Sequence, residues 1–267
     1  MNLELSGRIA LVTGGSKGIG ASIVRRLSQE GVRIACCARP SLALQNLASE
    51  IQDTGGEIYP LECDVLNPRS VIEAVKEASE VWNGLDILIN NVGGAIEFGA
   101  FEELSDEVWL KSFEFNVMSM VRFTRECLPF LRQSSLKRVI NISSISAQQP
   151  GMFNPHYTIT KAATVNLGKY LSNLLASEKI LVNTICPGPV ITESWETTIS
   201  AIAIKKGITN QQAMDYVLAE ERRKIPLGEM GEPSHISAAV ALLASPLSSW
   251  TTGSCIHISG GKLSVSL

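Results

Sequence analysis

Tyr157 and Lys161 stand four residues apart in Tyr157-Thr158-Ile159-Thr160-Lys161, where a helical pattern begins. On a helix that spacing puts both side chains on one face, about a turn apart. A free tyrosine has a pKa near 10, so only about one molecule in a thousand is phenolate at neutral pH. A nearby ammonium favours the phenolate, and each unit of lowering corresponds to about 1.4 kcal/mol, which moves the group toward general acid/base work. A Tyr-x-x-x-Lys by itself is more often an exposed helix pair. Thirteen residues before the tyrosine, Asn141-Ile142-Ser143-Ser144 ends a strand, at the carboxyl edge where α/β sheets place ligands. A hydroxyl at Ser144 could hold a substrate oxygen while Tyr157 exchanges a proton with it; Ser143 fits a loop-bonding role equally well. A serine hydrolase is poorly supported, because there is no Gly-x-Ser-x-Gly elbow and His156 has no evident carboxylate partner.

A second group of residues points to an anion. Thr13-Gly14-Gly15-Ser16-Lys17-Gly18-Ile19-Gly20 follows an apolar strand and leads into a helix. Glycines there let the backbone turn tightly, approach a pyrophosphate and aim helix N-terminal N–H groups at it. The Gly14-x-x-x-Gly18-x-Gly20 spacing differs from Gly-x-Gly-x-x-Gly, so the strand-turn-helix context carries the reading. Folds that bind NAD usually offer an acidic residue after the second strand for the ribose 2′-hydroxyl. Here the chain reads Ala38-Arg39-Pro40. Arg39, with Lys17 as a second cation, instead suits a 2′-phosphate, each such bond being worth roughly 1.5–3 kcal/mol. NADP(H) is therefore expected over NAD(H), although both cations could be solvated surface groups.

These residues need a scaffold, and the chain alternates short β-branched runs with longer helical patterns. Strands are expected at Ile9–Thr13, Val32–Ala38, Glu57–Cys63, Leu85–Ile89, Arg138–Ile142, Leu181–Ile185 and Ser254–Ile258. Helices are expected at Ile19–Glu30, Leu42–Asp53, Pro68–Trp82, Asp106–Arg132, Tyr157–Glu178 and Ser234–Ala244. Repeated βα units with continuously apolar strands predict an α/β, Rossmann-like, doubly wound parallel sheet with helices on both faces, in one domain over 1–267. Glu193 to Lys224 reads as an insertion of two more helices.

Composition narrows the function classes. A net charge of −3 over 267 residues, with no basic run, gives no surface for nucleic acid or anionic lipid. Six scattered cysteines, at 36, 37, 63, 127, 186 and 255, read as buried thiols in a reducing compartment. His156, His235 and His257 hold no zinc-type spacing with them, so no metal is expected. The polar start from Met1 to Arg8 and the lack of an apolar run of about 18 residues predict a cytoplasmic protein without a leader or membrane span.

Together the motifs resemble the short-chain dehydrogenase/reductase family, of the common single-domain type. Thr13-Gly14-x-x-x-Gly18-x-Gly20, Asn90-Asn91-Val92-Gly93, Asn116, Ser144, Tyr157-x-x-x-Lys161 and Pro187-Gly188 occur in the family's order and spacing across the whole chain. The resemblance implies a seven-stranded sheet, hydride transfer to or from nicotinamide, and a catalytic tetrad at Asn116, Ser144, Tyr157 and Lys161. It implies that Lys161 also holds the nicotinamide ribose and that Asn116 supports a proton-relaying water. Cofactor contacts are implied for Gly14, Ser16, Lys17, Gly18, Ile19, Gly20 and Arg39, for Asp64 and Val65 at the adenine, for Asn91 and Gly93, and for Pro187, Gly188, Val190 and Thr192 near the nicotinamide. Without the family, Asp64 is a cap or turn residue, and Asn90-Asn91 and Pro187-Gly188 are turns.

Substrate is expected to meet Ser144, Gln149, Met152 and Tyr157, with Gln148, Phe153, Val92 to Ile96, Trp195 and the 193–224 insertion nearby; Met152, Phe153 and Trp195 are equally good packing residues. Val92 stands where the family usually has alanine, Glu229 where Pro-Leu-Gly-Arg-x-Gly has arginine, and Ser259 where Asp-Gly-Gly has aspartate. A homotetramer is expected, with a dimer as the alternative. The leading expectation is an NADP(H)-dependent ketone, aldehyde or 3-oxoacyl reductase. An NAD(H)-dependent alcohol or sugar dehydrogenase and a non-catalytic cofactor-binding scaffold are the alternatives.

Overall fold

The computed structural model describes residues 2–151, 154–193 and 195–264, with the backbone alone at 197, 198, 201 and 205. Seven strands are present: β1 (Ile9–Thr13), β2 (Arg33–Ala38), β3 (Ile58–Glu62), β4 (Ile87–Asn90), β5 (Arg138–Ile142), β6 (Leu181–Pro187) and β7 (Cys255–Ile258). They pair in parallel in the order β3-β2-β1-β4-β5-β6-β7. The chain moves outward from β1 to β3, then returns to lay β4 on the other side of β1. That reversal parts the loops above β1 and β4 and opens the crevice where such sheets bind ligands. Pro60, which cannot donate to a ladder, is tolerated because β3 is an edge strand.

Strand parity divides the core. Ala10, Val12, Ile34, Cys36, Ile87, Ile89, Ile140 and Ile185 face one layer, with α1 (Gly18–Gln29), α2 (Leu42–Asp53) and α9 (Pro233–Ala244). Leu11, Ala35, Cys37, Leu88, Val139 and Val182 face the other, with α3 (Pro68–Val81), α5 (Ser119–Gln133) and α6 (Pro155–Leu175). Both faces are covered, which is why these strands are apolar without alternation. The 193–224 segment forms α7 (Trp195–Lys206) and α8 (Asn210–Arg222), with a small core of their own around Ile199, Ala203 and Ala213.

One expected helix is not continuous. Asp106 to Arg132 divides into α4 (Asp106–Phe113), a π turn over Glu114–Met118, and α5. Apolar periodicity runs through the whole segment and so hides the extra residue, but π turns are frequent at functional sites. Asn116 lies in this one, buried. Among the described residues, no helix is long and apolar enough to cross a membrane.

Candidate active site

The glycine turn is fixed by close contacts to β4. The Asn91 side-chain amide donates to the carbonyls of Thr13 and Gly14, at 3.0 Å each. The Thr13 hydroxyl donates to Ile89 O and accepts from the Asn91 N–H at 3.0 Å. A Cβ on Gly20 would sit 2.2 Å from Gly14 O, so α1 begins this close to β1 only because residue 20 has no side chain. Gly14 and Gly18 hold φ of +63° and +54°, in the left-handed region. The result is a backbone cradle at a helix N-terminus, which suits a dinucleotide's pyrophosphate. Ser16 is half-buried, and Ile19 packs onto the core.

Lys17 precedes α1 and Arg39 follows β2; both are exposed, and neither is in an ion pair among the described residues. Asp64, exposed beyond β3, accepts the Leu66 N–H at 3.0 Å in a tight turn, and Val65 is buried. On the other side of the crevice, Pro187 closes β6 and the Gly188 N–H donates to Ile258 O at 2.8 Å. Val190 is buried and bridges Gly231, and the Thr192 methyl would lie 3.2 Å from a Cβ on Gly18. Glu193 reaches the cradle itself: its carboxylate accepts the Gly18 N–H at 3.1 Å, where an anionic ligand would compete.

The structure brings the four expected catalytic residues to the carboxyl ends of β4 and β5. Asn116 donates to Ser112 O at 3.0 Å and Gly94 O at 3.1 Å, and accepts the Gly94 N–H at 2.9 Å. Ser144 opens a short 3₁₀ turn, its hydroxyl oxygen accepting the Ser146 N–H at 3.1 Å. Tyr157 lies in the first turn of α6, with its phenol beside Ser144. Lys161 is buried; its ammonium donates to Ile142 O at 3.0 Å and stands 5.8 Å from the Tyr157 ring centroid. A Cβ on Gly93 would lie 2.4 Å from Lys161 Nζ and 2.9 Å from Asn116 Oδ1, so a bare backbone here lets loop and tetrad meet.

The electrostatics correct one expectation. The Tyr157 phenol is raised above its ordinary pKa of 10, chiefly by burial; the Ser144 side chain lowers it, but less. Burial also lowers Lys161, to about 8. Desolvation, which the sequence does not show, dominates the phenol, and Tyr157 stands as a neutral acid.

The substrate side is less simply arranged. Gln149 accepts the Ser264 N–H at 2.8 Å, tying the loop after Ser144 to the chain's end. Trp195 donates its indole N–H to Val190 O at 2.9 Å and packs within the α7–α8 core. Met152 and Phe153 lie outside the described residues. Several supporting residues were missed from sequence. Asn154, at φ +61° before α6, pairs in both directions with Gly99: its N–H donates to Gly99 O at 3.0 Å, and its side-chain oxygen accepts the Gly99 N–H at 3.3 Å. The Asn154-Pro155 dipeptide was an available signal for that turn. Ser112, one helical turn before Asn116, could have been found by its spacing. His156 is buried against Trp109, and neither ring nitrogen has a hydrogen bond among the described residues.

A parallel sheet whose switch-point crevice holds a glycine cradle on one side and a Ser-Tyr-Lys group on the other defines an oxidoreductase of the Rossmann-like class. Residues 14–262 match the family model described as enoyl-(acyl carrier protein) reductase. The 3-oxoacyl-[acyl-carrier-protein] reductase FabG of Vibrio cholerae is 30% identical over 98% of this chain and 98% of its own length. A solved structure of L-sorbose reductase from Gluconobacter frateurii, complexed with NADPH and L-sorbose, superposes with a TM-score of 0.94 at 29% identity, covering 100% of both chains. An actinorhodin polyketide ketoreductase variant with NADPH gives 0.89 at 30% identity, covering 97% of this chain and 98% of the other. The chain belongs to the short-chain dehydrogenase/reductase family.

Proposed function

We propose that this protein reduces a ketone or aldehyde to an alcohol with NADPH, and runs the reverse reaction with NADP+ on the same residues. The observation that carries the reading is a neutral Tyr157 beside Ser144, with the Lys161 ammonium buried 5.8 Å from its ring centroid. Bound nicotinamide supplies or accepts the hydride; the proton falls to the protein. Ser144 orients the carbonyl oxygen, and Tyr157 gives it the phenolic proton. The raised phenol suits this direction, because a group that remains protonated is a ready general acid. Lys161 uses one of its three N–H donors on Ile142 O and keeps two for the nicotinamide ribose and the phenol oxygen. Asn116 fixes the loop at Gly94 and supports the water that returns the proton.

The cradle from Gly14 to Gly20 holds the pyrophosphate, with Asn91 and Gly93 setting the loop beside it. Pro187, Gly188, Val190 and Thr192 face the nicotinamide, Asp64 and Val65 the adenine. Arg39, where NAD-selective chains carry an acid, and Lys17, both without carboxylate partners among the described residues, take the 2′-phosphate; the NADPH in both superposed structures agrees with this. Relatives named for 3-oxoacyl and L-sorbose reduction direct the substrate search to ketones. A homotetramer fits the exposed Trp250, Leu110, Tyr170 and Leu174, and six free thiols fit a cytoplasmic site.

The test is NADPH consumption on 3-oxoacyl and ketose panels by the wild type and by Tyr157→Phe. The variant should bind NADPH normally and lose about 10²- to 10⁴-fold in turnover. Full activity in Tyr157→Phe would remove the assigned roles.

A further inference from the structure

The expectation of no metal rested on histidines far apart in sequence and in no zinc-type spacing with the cysteines, but the sheet brings Cys186 to the nearby pair Cys255 and His257. β6 and β7 pair in parallel with Cys186 opposite His257 and Thr184 opposite Cys255. Side chains two apart on a strand share a face, so Cys186, Cys255 and His257 all project to one side of the sheet. Thr184 lies under α6, where a Cβ on Gly168 would meet its hydroxyl at 2.5 Å, so this is the side that carries Tyr157 and Lys161. The two sulfurs are 3.4 Å apart, Cys255 Sγ is 3.7 Å from His257 Nε2, and all three ligand atoms lie within 4.8 Å of one another. Tetrahedral bonds of about 2.3 Å to sulfur and about 2.0 Å to nitrogen put neighbouring ligand atoms roughly 3.5–3.8 Å apart. Two of the three separations are therefore close to those of a formed site.

A fourth group points the same way. Gln148 places its amide nitrogen 3.8 Å from Cys255 Sγ, and its side-chain oxygen is buried with no hydrogen-bond partner among the described residues. A half-turn of the amide exchanges that oxygen with the nitrogen and brings it toward Cys255.

We infer that Cys186, Cys255 and His257, with the Gln148 carbonyl oxygen completing the set, form a binding site for a thiophilic divalent cation of the zinc type. Two thiolates and a neutral imidazole cancel the charge of a divalent ion, which lets it sit in a half-buried place without an unpaired charge. Binding forms two metal–sulfur bonds and one metal–nitrogen bond, releases two thiol protons to solvent and changes no oxidation state. Cys186 directly precedes the Pro187-Gly188 turn, and β7 is otherwise held along one edge only, by β6. A bound ion ties that last strand to the sheet.

The experiment uses the full chain with a reductant that does not bind metal. Cobalt is titrated as a spectroscopic substitute, and zinc is then added as competitor. One equivalent of cobalt should give thiolate charge-transfer absorption with tetrahedral d–d bands, zinc should abolish both, and excess zinc should raise Tm by a few degrees. Cys255→Ser should remove about half of the charge-transfer intensity. His257→Ala should weaken cobalt binding at least tenfold, with NADPH binding as the control for folding. An absent charge-transfer band, or one that is unchanged in both variants, overturns the site. None of these readouts requires turnover.

Discussion

Glu193 offers the sharpest test of how the cradle is tuned. Its carboxylate accepts the Gly18 N–H at 3.1 Å, at the N-terminus of α1, where the partial positive charge of the helix is concentrated. It also lies near Arg25, whose charged form is favoured chiefly by the hydrogen bond to Glu50 and to a smaller extent by Glu193. A pyrophosphate seeking the same N–H groups must displace it. A hydrogen bond to an ionised group is worth roughly 1.5–3 kcal/mol, and solvent at this exposed contact reduces that to about 1 kcal/mol. Glu193→Gln keeps the shape and removes the charge. NADPH should then bind about three- to tenfold tighter, since 1.4 kcal/mol corresponds to a factor of ten. Titration of NADPH fluorescence reads this directly, and the gain should shrink as salt screens the exposed charge. An unchanged or weaker Kd in the variant would refute the competition.

Other outcomes follow from distances already given. Gly20→Ala pushes a methyl to 2.2 Å from the Gly14 carbonyl, a backbone atom that cannot yield. It should lower stability by about 1–3 kcal/mol and abolish NADPH binding, read by denaturant melts and equilibrium dialysis. Arg39→Glu should reduce the preference for NADPH over NADH by at least tenfold, and an unchanged ratio would show that Arg39 does not read the phosphate. Lys161, lowered to about 8, should impose an alkaline limb: ketone reduction falls as pH rises through 8, and Lys161→Arg, which does not titrate there, should lack that limb. Between pH 8 and the ordinary lysine value of 10.5 the unfolded chain holds the extra proton, so this residue's contribution makes stability rise with pH across that window.

The sheet was readable because its strands are apolar throughout and its turns are marked by glycine. Tyr157 and Lys161 were readable because four residues on a helix is a short-range relation. Relations set by long-range pairing were not: Cys186 and His257 are opposite each other only because β7 docks beside β6, and nothing local to either residue says so. Burial was equally hidden. The sequence places a cation beside Tyr157 and so predicts a lowered phenol, whereas the solvent excluded around it raises the group. Glu193 escaped notice because a loop far along the chain returns it to Gly18.

The π turn at Glu114–Met118 has a consequence for how this chain tolerates change. One residue of α-helix corresponds to about 100° of rotation. Removing a single position between 114 and 118 would restore regular hydrogen bonding, and would make a better helix locally. Because the π turn has already absorbed that rotation, the deletion would leave α4 and α5 nearly in phase but would remove the bulge from which Asn116 reaches Gly94. Length in this segment is therefore as constrained as composition: a substitution at half-buried Glu114 leaves the bulge intact, whereas a one-residue deletion detunes the site even when every remaining side chain is unaltered.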